Sequence, residues 1–210
     1  VMWKKAIVIL LSLFAFSVAV QAREGDDDKK YLAGAVPTKN GIVIFDKTYK
    51  VSDKSKLEIY EDLRAYADSL LNGENSLEQS AIVEADSLQG ILALRMEENL
   101  YFRRSAWVTH YTRFYYELIF TITDGSFNVE MRRIHYLYEE EAVERTSSFT
   151  AEEWITDEEA LSKDGKKLTR VSGRFRRATI DRKDEIFRGA GLATGAIRKR
   201  KVVRVIETEE

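Results

Sequence analysis

Two histidines, a band of tyrosines and arginines, and a long basic stretch are the side chains here whose types could carry chemistry. His110 and His135 are the only imidazoles, the groups that titrate nearest neutrality. A general base or a metal site built on them needs a carboxylate alongside. Pairing their two strands about an Asp124-Gly125 turn sets His135 opposite Phe114 and Glu139 opposite His110. Both rings then lie on one side of a sheet, with Glu139 as the nearby carboxylate. That is the whole basis for one reading, a hydrolase with a His/carboxylate site in a sheet-lined cleft; ordinary sheet histidines are the favoured expectation. The chain has no histidine-glutamate zinc helix, nucleophile elbow or phosphate-binding P-loop. It has no cysteine, so thiolate nucleophiles and thiolate metal sites are excluded. No catalytic residue, metal or cofactor is expected.

The aromatic and basic residues are a better lead. Trp107, Tyr111, Arg113 and Tyr115 alternate along one strand, on the face away from the expected core. Exposed tyrosine, tryptophan and arginine are enriched in contact surfaces. Charge is also unevenly spread. Residues 23–162 carry 28 acidic and 16 basic side chains, whereas residues 163–204 carry 15 basic and 4 acidic. Arg170, Arg174, Arg176, Arg177 and the run from Arg198 to Lys201 dominate that second stretch. In a cytosolic protein such a segment suggests nucleic acid. Here it is expected to fold back on the acidic body or to touch anionic envelope components such as lipid phosphates. The segment Gly189-Ala190-Gly191-Leu192-Ala193-Thr194-Gly195 follows no strand and does not fit the dinucleotide fingerprint. It reads as a hinge or a small-residue packing segment.

The preference for envelope partners comes from the N-terminus. Lys4 and Lys5 precede an almost unbroken apolar run from Ala6 to Val20, and Val20-Gln21-Ala22 supplies small residues for cleavage. Residues 1–22 therefore read as a signal peptide. The run is shorter than the roughly 20 residues needed to span a bilayer, and no later segment resembles a span. The mature chain is expected to be periplasmic or secreted, without lipid attachment because no cysteine lies near the cleavage point. Its partner is expected to be an envelope protein or an anionic envelope component, not nucleic acid. Residues 23–39 read as a charged linker, with Asp26-Asp27-Asp28 as a solvated tether. The 210-residue chain, 44% hydrophobic, suffices for one core.

The elements that would position these residues are legible. Ile42 to Val51 reads as a strand with Val43, Phe45, Tyr49 and Val51 on one face. Ser55 and Glu58 form a capping box, opening a helix with Leu57, Tyr60, Leu63, Ala67, Leu70 and Leu71 as its apolar stripe. Asn72-Gly73 is expected to close it in left-handed backbone. Ser80–Ala85 and Gly90–Met96 read as strands. The hairpin from Trp107 to Tyr138 is the clearest element. Its Asp124-Gly125 turn sets Ile122 against Phe127, Phe120 against Val129 and Leu118 against Met131. On the other face Glu117 meets Arg132. Thr150 and Glu153 make a second capping box for a helix through Leu161.

The expected architecture is α+β, in the order β-α-β-β-β-β-α. A curved antiparallel sheet carries two helices on one face over residues 40–162, with residues 163–210 as a basic C-terminal extension. Val36-Pro37, Gly41-Ile42-Val43-Ile44-Phe45, the helix after Lys54-Ser55-Lys56 and the hairpin at Thr123-Asp124-Gly125-Ser126-Phe127 carry a resemblance. Over Ala35 to Leu161 the sequence resembles the Bacteroidetes domain of unknown function 4468, described as TBP-like. The resemblance implies a helix-grip-like sheet and an envelope location; it transfers no catalytic residue and no DNA binding. The expected function is an exported, non-catalytic binding or scaffold module of the cell envelope.

Overall fold

The computed structural model describes residues 28–104, 109–140 and 145–198. Strands β1 (Thr38–Lys39) and β2 (Ile42–Val43) form a small hairpin. Its two-residue turn is Asn40-Gly41, with both residues at positive φ (53° and 78°), as a type I′ turn demands. Strand β3 (Phe45–Lys50) follows, so the expected strand over 42–51 is broken at Ile44, whose N–H turns aside to the carbonyl of Pro37. Val43, Phe45, Tyr49 and Val51 are all buried.

Helix α1 (Lys56–Leu71) opens with the expected Ser55/Glu58 capping box. Its buried stripe is Ile59, Leu63, Ala67 and Leu70. Leu57, expected in the stripe, instead faces solvent at 54% exposure. The helix does not close in left-handed backbone either: Asn72 sits at φ −90° and bonds back to the carbonyl of Asp68.

Strands β4 (Ala81–Asp86), β5 (Ile91–Arg104), β6 (Thr109–Thr123), β7 (Ser126–Glu140) and β8 (Arg145–Thr150) complete the main sheet. It has six strands in the order β3-β7-β6-β5-β4, every pair antiparallel. Strand β8 also pairs with β7. β3 covers Ser126 to Met131 of β7, and β8 covers His135 to Glu140.

The β6–β7 register is the expected one near the turn, with Ile122 opposite Phe127 and Glu117 opposite Arg132. It then slips by one residue at Arg133, which takes φ 52°. Beyond that bulge Tyr115 faces His135 and Phe114 faces Tyr136. A one-residue slip exchanges the faces of every later side chain. Ile134 and Tyr136 therefore enter the core (1% and 0% exposed), and His135 is expelled to the opposite side.

The expected helix from Thr150 to Leu161 is two single turns, α2 (Ala151–Trp154) and α3 (Asp157–Ala160). The Thr150/Glu153 capping box is present. The chain breaks at Ile155-Thr156 because the Ile155 carbonyl is taken by a buried arginine described below. The longest helix, α4 (Ser172–Ala193), lies where a basic extension was expected. Phe175, Ile180, Ile186, Phe187 and Ala190 bury its inner stripe beside α1, on the same sheet face. Residues 172–193 thus belong to the core. For residues 28–39 the linker reading is corrected as well, since Tyr31 and Val36 are buried at 5% and 6% exposure; residues 23–27 lie outside the described residues.

Close approach of α1 and α4 explains the glycine-rich segment. Tyr66 of α1 donates to the Ile186 carbonyl at 2.9 Å, and Tyr49 of β3 donates to the Phe187 carbonyl at 2.8 Å. A methyl at Gly189 would lie 2.2 Å from the Tyr66 hydroxyl, and one at Gly191 2.9 Å from the Tyr49 ring. Residues 189–193 are a packing surface in the last turns of α4, and Thr194 and Gly195 close the helix. Gly189→Ala is expected to destabilise the fold by about 1–3 kcal/mol through overpacking, read as a lower denaturant midpoint.

Tyr136 and Tyr116 are fully buried, and burial pushes both phenols well above the ordinary value near 10. Groups with raised folded-state values contribute stability that is complete below about pH 10 and is lost as pH rises further. The thermal midpoint should therefore fall above about pH 10, and Tyr136→Phe should make that fall shallower.

Candidate functional site

The sheet has two unlike faces. Alternation sends Phe114, Tyr116, Leu118 and Phe120 of β6 under the helices, and Tyr111, Arg113, Tyr115 and Glu117 to the opposite face. Among the described residues no helix packs on that opposite face. Tyr111 is 40% exposed and its ring meets Tyr101 across the β5–β6 pair, with centroids 5.7 Å apart. Tyr115 lies flat on His135, with centroids 4.3 Å apart and planes within 4°. Burial raises the Tyr115 phenol above its ordinary value. Arg113 reaches Glu97 at 3.7 Å. Three of the expected contact residues, Tyr111, Arg113 and Tyr115, are thus neighbours on one surface. Trp107 lies outside the described residues.

Farther along the same face the chemistry is ionic. Arg132 joins Glu117 at 3.1 Å and Glu130 at 3.2 Å, and Arg133 joins Glu117 at 2.8 Å. The face is therefore aromatic at the end remote from the β6–β7 turn and salt-bridged in its middle. Tyr101 and His135 join this surface, whereas the expected register had set His135 opposite Phe114 on the other side. The signal for His135 lay in the bulge, and nothing in the local pattern around Arg133 announces a positive φ.

The four expected basic contact residues are scattered by the helix period. Arg170 is exposed before α4. Arg176 is fully buried: its guanidinium donates to the carbonyls of Tyr31, Leu32 and Ile155 and to the Asp157 carboxylate, at 2.6–2.8 Å. Arg176 is a structural tie, and its place in a contact surface is corrected. Arg177 is half-buried, paired with Asp28, with its charge 4.5 Å from the Tyr31 ring centroid. Arg174 is exposed and lines a cleft of about 450 Å³ with Tyr101, Phe102, His110, Arg177 and Asp181.

The two histidines do not share a site. His135 faces away from the helices, while His110 lies in the cleft beside α4. The single-residue slip at Arg133 separates them, and the Glu139 side chain lies outside the described residues. The carboxylate in the His110 cleft is Asp181, which is held by Lys30 at 2.6 Å and the Tyr31 hydroxyl at 2.8 Å. No group of three metal-ligating side chains occurs among the described residues, and none of the described helices is long and apolar enough to cross a membrane.

A curved antiparallel sheet with its helices gathered on one face defines a TBP-like α+β protein. The model of the family "Domain of unknown function (DUF4468) with TBP-like fold" matches residues 45–137. A DUF4468 family protein of known crystal structure, from Bacteroides ovatus ATCC 8483, is 36% identical. That match covers 82% of this chain and 98% of the other, with a TM-score of 0.73. The chain belongs to the DUF4468 family. A TBP-like protein from Parabacteroides distasonis ATCC 8503 shares the fold at 20% identity and a TM-score of 0.61, over 76% of this chain and 97% of the other. No curated protein matches the sequence.

Removing the Arg176 guanidinium strands three buried carbonyls and one carboxylate. Arg176→Ala is expected to cost about 3 kcal/mol or more in chemical denaturation. Arg170→Ala should stay within about 0.5 kcal/mol of the parent.

Proposed function

We propose that this protein is a non-catalytic binding module exported to the cell envelope, and that its contact surface is the helix-free sheet face around Tyr111, Arg113, Tyr115 and His135. One observation carries the reading: every described helix packs on one face of the sheet, and the opposite face ends in a cluster of partly exposed aromatic rings. Flat aromatic rings beside an arginine give large contact area at small conformational-entropy cost. The salt-bridged middle of the face supplies a polar margin, as in interfaces generally.

Export is supported by residues 1–22, with two lysines, an apolar run and small residues at 20–22. Arg176, Arg177 and Arg182 are absorbed internally by Asp157, Asp28 and Glu98, which breaks up the basic run. The envelope contact is therefore assigned to the sheet face and away from the arginine cluster. The hydrolase alternative gains nothing from the geometry, because the two histidines lie on opposite sides of the sheet and Asp181 is engaged elsewhere.

Cells expressing the full sequence test both halves. The wild-type chain should be recovered in the envelope fraction with its N-terminus at Arg23, and should remain there after a high-salt wash, which screens exposed charges. The Tyr111→Ala/Tyr115→Ala variant should fold normally and be released by at least about tenfold more. An intact N-terminus in the cytosol would overturn export. Equal retention of the variant would overturn the assigned face.

A further inference from the structure

The cleft beside α4 carries chemistry that the sheet-face reading does not use. It lies between the β5–β6 strands and the N-terminal half of α4, and its volume of about 450 Å³ falls in the range of small-molecule sites, roughly 300–1,000 Å³. One side of its wall is apolar. Phe102 packs against Phe175 at 4.5 Å between centroids, Tyr101 against Tyr111, and Ala178 of α4 lies opposite.

Three formal charges line the other side, and two of them are spoken for. Arg177 is paired with Asp28 over the Tyr31 ring. Asp181 is held by Lys30 and by the Tyr31 hydroxyl. Arg174 is exposed and its guanidinium has no ion pair or hydrogen bond among the described residues, and the same holds for the His110 imidazole on the facing strand. A wall with one apolar side, one uncommitted guanidinium and one uncommitted ring N–H selects a particular ligand. The planar guanidinium fork matches a carboxylate in bidentate fashion. The fixed Asp181 carboxylate in the same wall opposes a second negative charge on the ligand. Tyr101 and Phe102 accommodate a flat or aliphatic body.

We infer that this cleft binds a small monocarboxylate carried on an aromatic or alkyl body. Arg174 grips the carboxylate, His110 donates a second hydrogen bond, and Tyr101 and Phe102 cover the apolar part. The inference goes beyond the sheet-face reading: the two share Tyr101 at their common border, but the groups that grip the ligand here, Arg174 and His110, lie outside the proposed sheet-face contact and take a different class of ligand.

Calorimetric titration of the full chain with 2-naphthoate tests it. Saturable single-site binding is expected, with a Kd below about 1 mM. A lost charge-assisted hydrogen bond corresponds to about tenfold or more in affinity. Arg174→Ala should therefore weaken binding by at least that factor, and His110→Ala by severalfold. The neutral analogue 2-naphthamide should bind at least about tenfold more weakly than the carboxylate. Arg170→Ala removes an exposed arginine outside the cleft and should leave the affinity within about twofold. Both arginines are exposed, so unchanged melting of the variants verifies that they fold. Absence of saturable binding would overturn the assignment. So would equal affinity in Arg174→Ala, or equal affinity for the amide. Displacement of 2-naphthoate by equimolar inorganic phosphate would show a general anion site and overturn the apolar half.

Discussion

A guanidinium cut off from water must find its hydrogen bonds inside the protein, and the fold is arranged around one that does. Arg176 has no exposed surface and lies on the inner stripe of α4. It binds the carbonyls of Tyr31 and Leu32 before the sheet begins, and the carbonyl of Ile155 and the carboxylate of Asp157 after the sheet ends. Two chain segments far apart in sequence are therefore held to one helix through a single side chain. The cost of burying the charge is offset only if all of these bonds form together. The N-terminal segment, the break between α2 and α3 and the docking of α4 are coupled for that reason. A second buried pair, Arg182 with both oxygens of Glu98 at 2.7–2.8 Å, fixes the same helix over β5.

With α4 locked onto one side, the sheet presents its other side outward, and the bulge at Arg133 decides what is displayed there. Before the bulge the outward residues of β7 are Asn128, Glu130 and Arg132; after it they are His135 and Leu137. Ionic chemistry gives way to aromatic and apolar chemistry within a few residues. β3 ends and β8 begins along β7 on either side of the same point, which is where a bulged strand bends. The curvature, the change of edge partner and the composition of the outer face share one local cause.

The distribution of arginines shows how far composition can mislead. Arg170, Arg174, Arg176 and Arg177 read as one basic patch because they are close in sequence. Four successive residues of a helix span its whole circumference. Arg176 consequently lies in the core, Arg177 is paired with Asp28, and Arg174 opens on the cleft with His110. The apolar stripe of α4, Phe175, Ile180, Ile186, Phe187 and Ala190, was present in the sequence at helical spacing. The surrounding lysines and arginines concealed it. The Asn40-Gly41 pair is a hairpin-turn signal that the single-strand reading of 42–51 passed over, whereas β8, Arg145–Thr150, lacks the apolar alternation that marks a strand.

Some features follow from the sequence by itself because their causes are local. The capping boxes at Ser55 and Thr150, the Asp124-Gly125 turn and its register as far as Glu117–Arg132, and the α+β class each rest on interactions between residues a few positions apart or mirrored about one turn. The short strings within residues 35–161 sufficed to suggest the family. Other features were decided only in three dimensions. The positive φ of Arg133 is maintained because the slip places Ile134 and Tyr136 in the core. Gly189 and Gly191 are small because Tyr66 and Tyr49 press on them from other elements. Arg176 is buried because carbonyls from distant segments converge on it. In each of these cases the deciding partner lies far away along the chain, and no local pattern encodes its arrival.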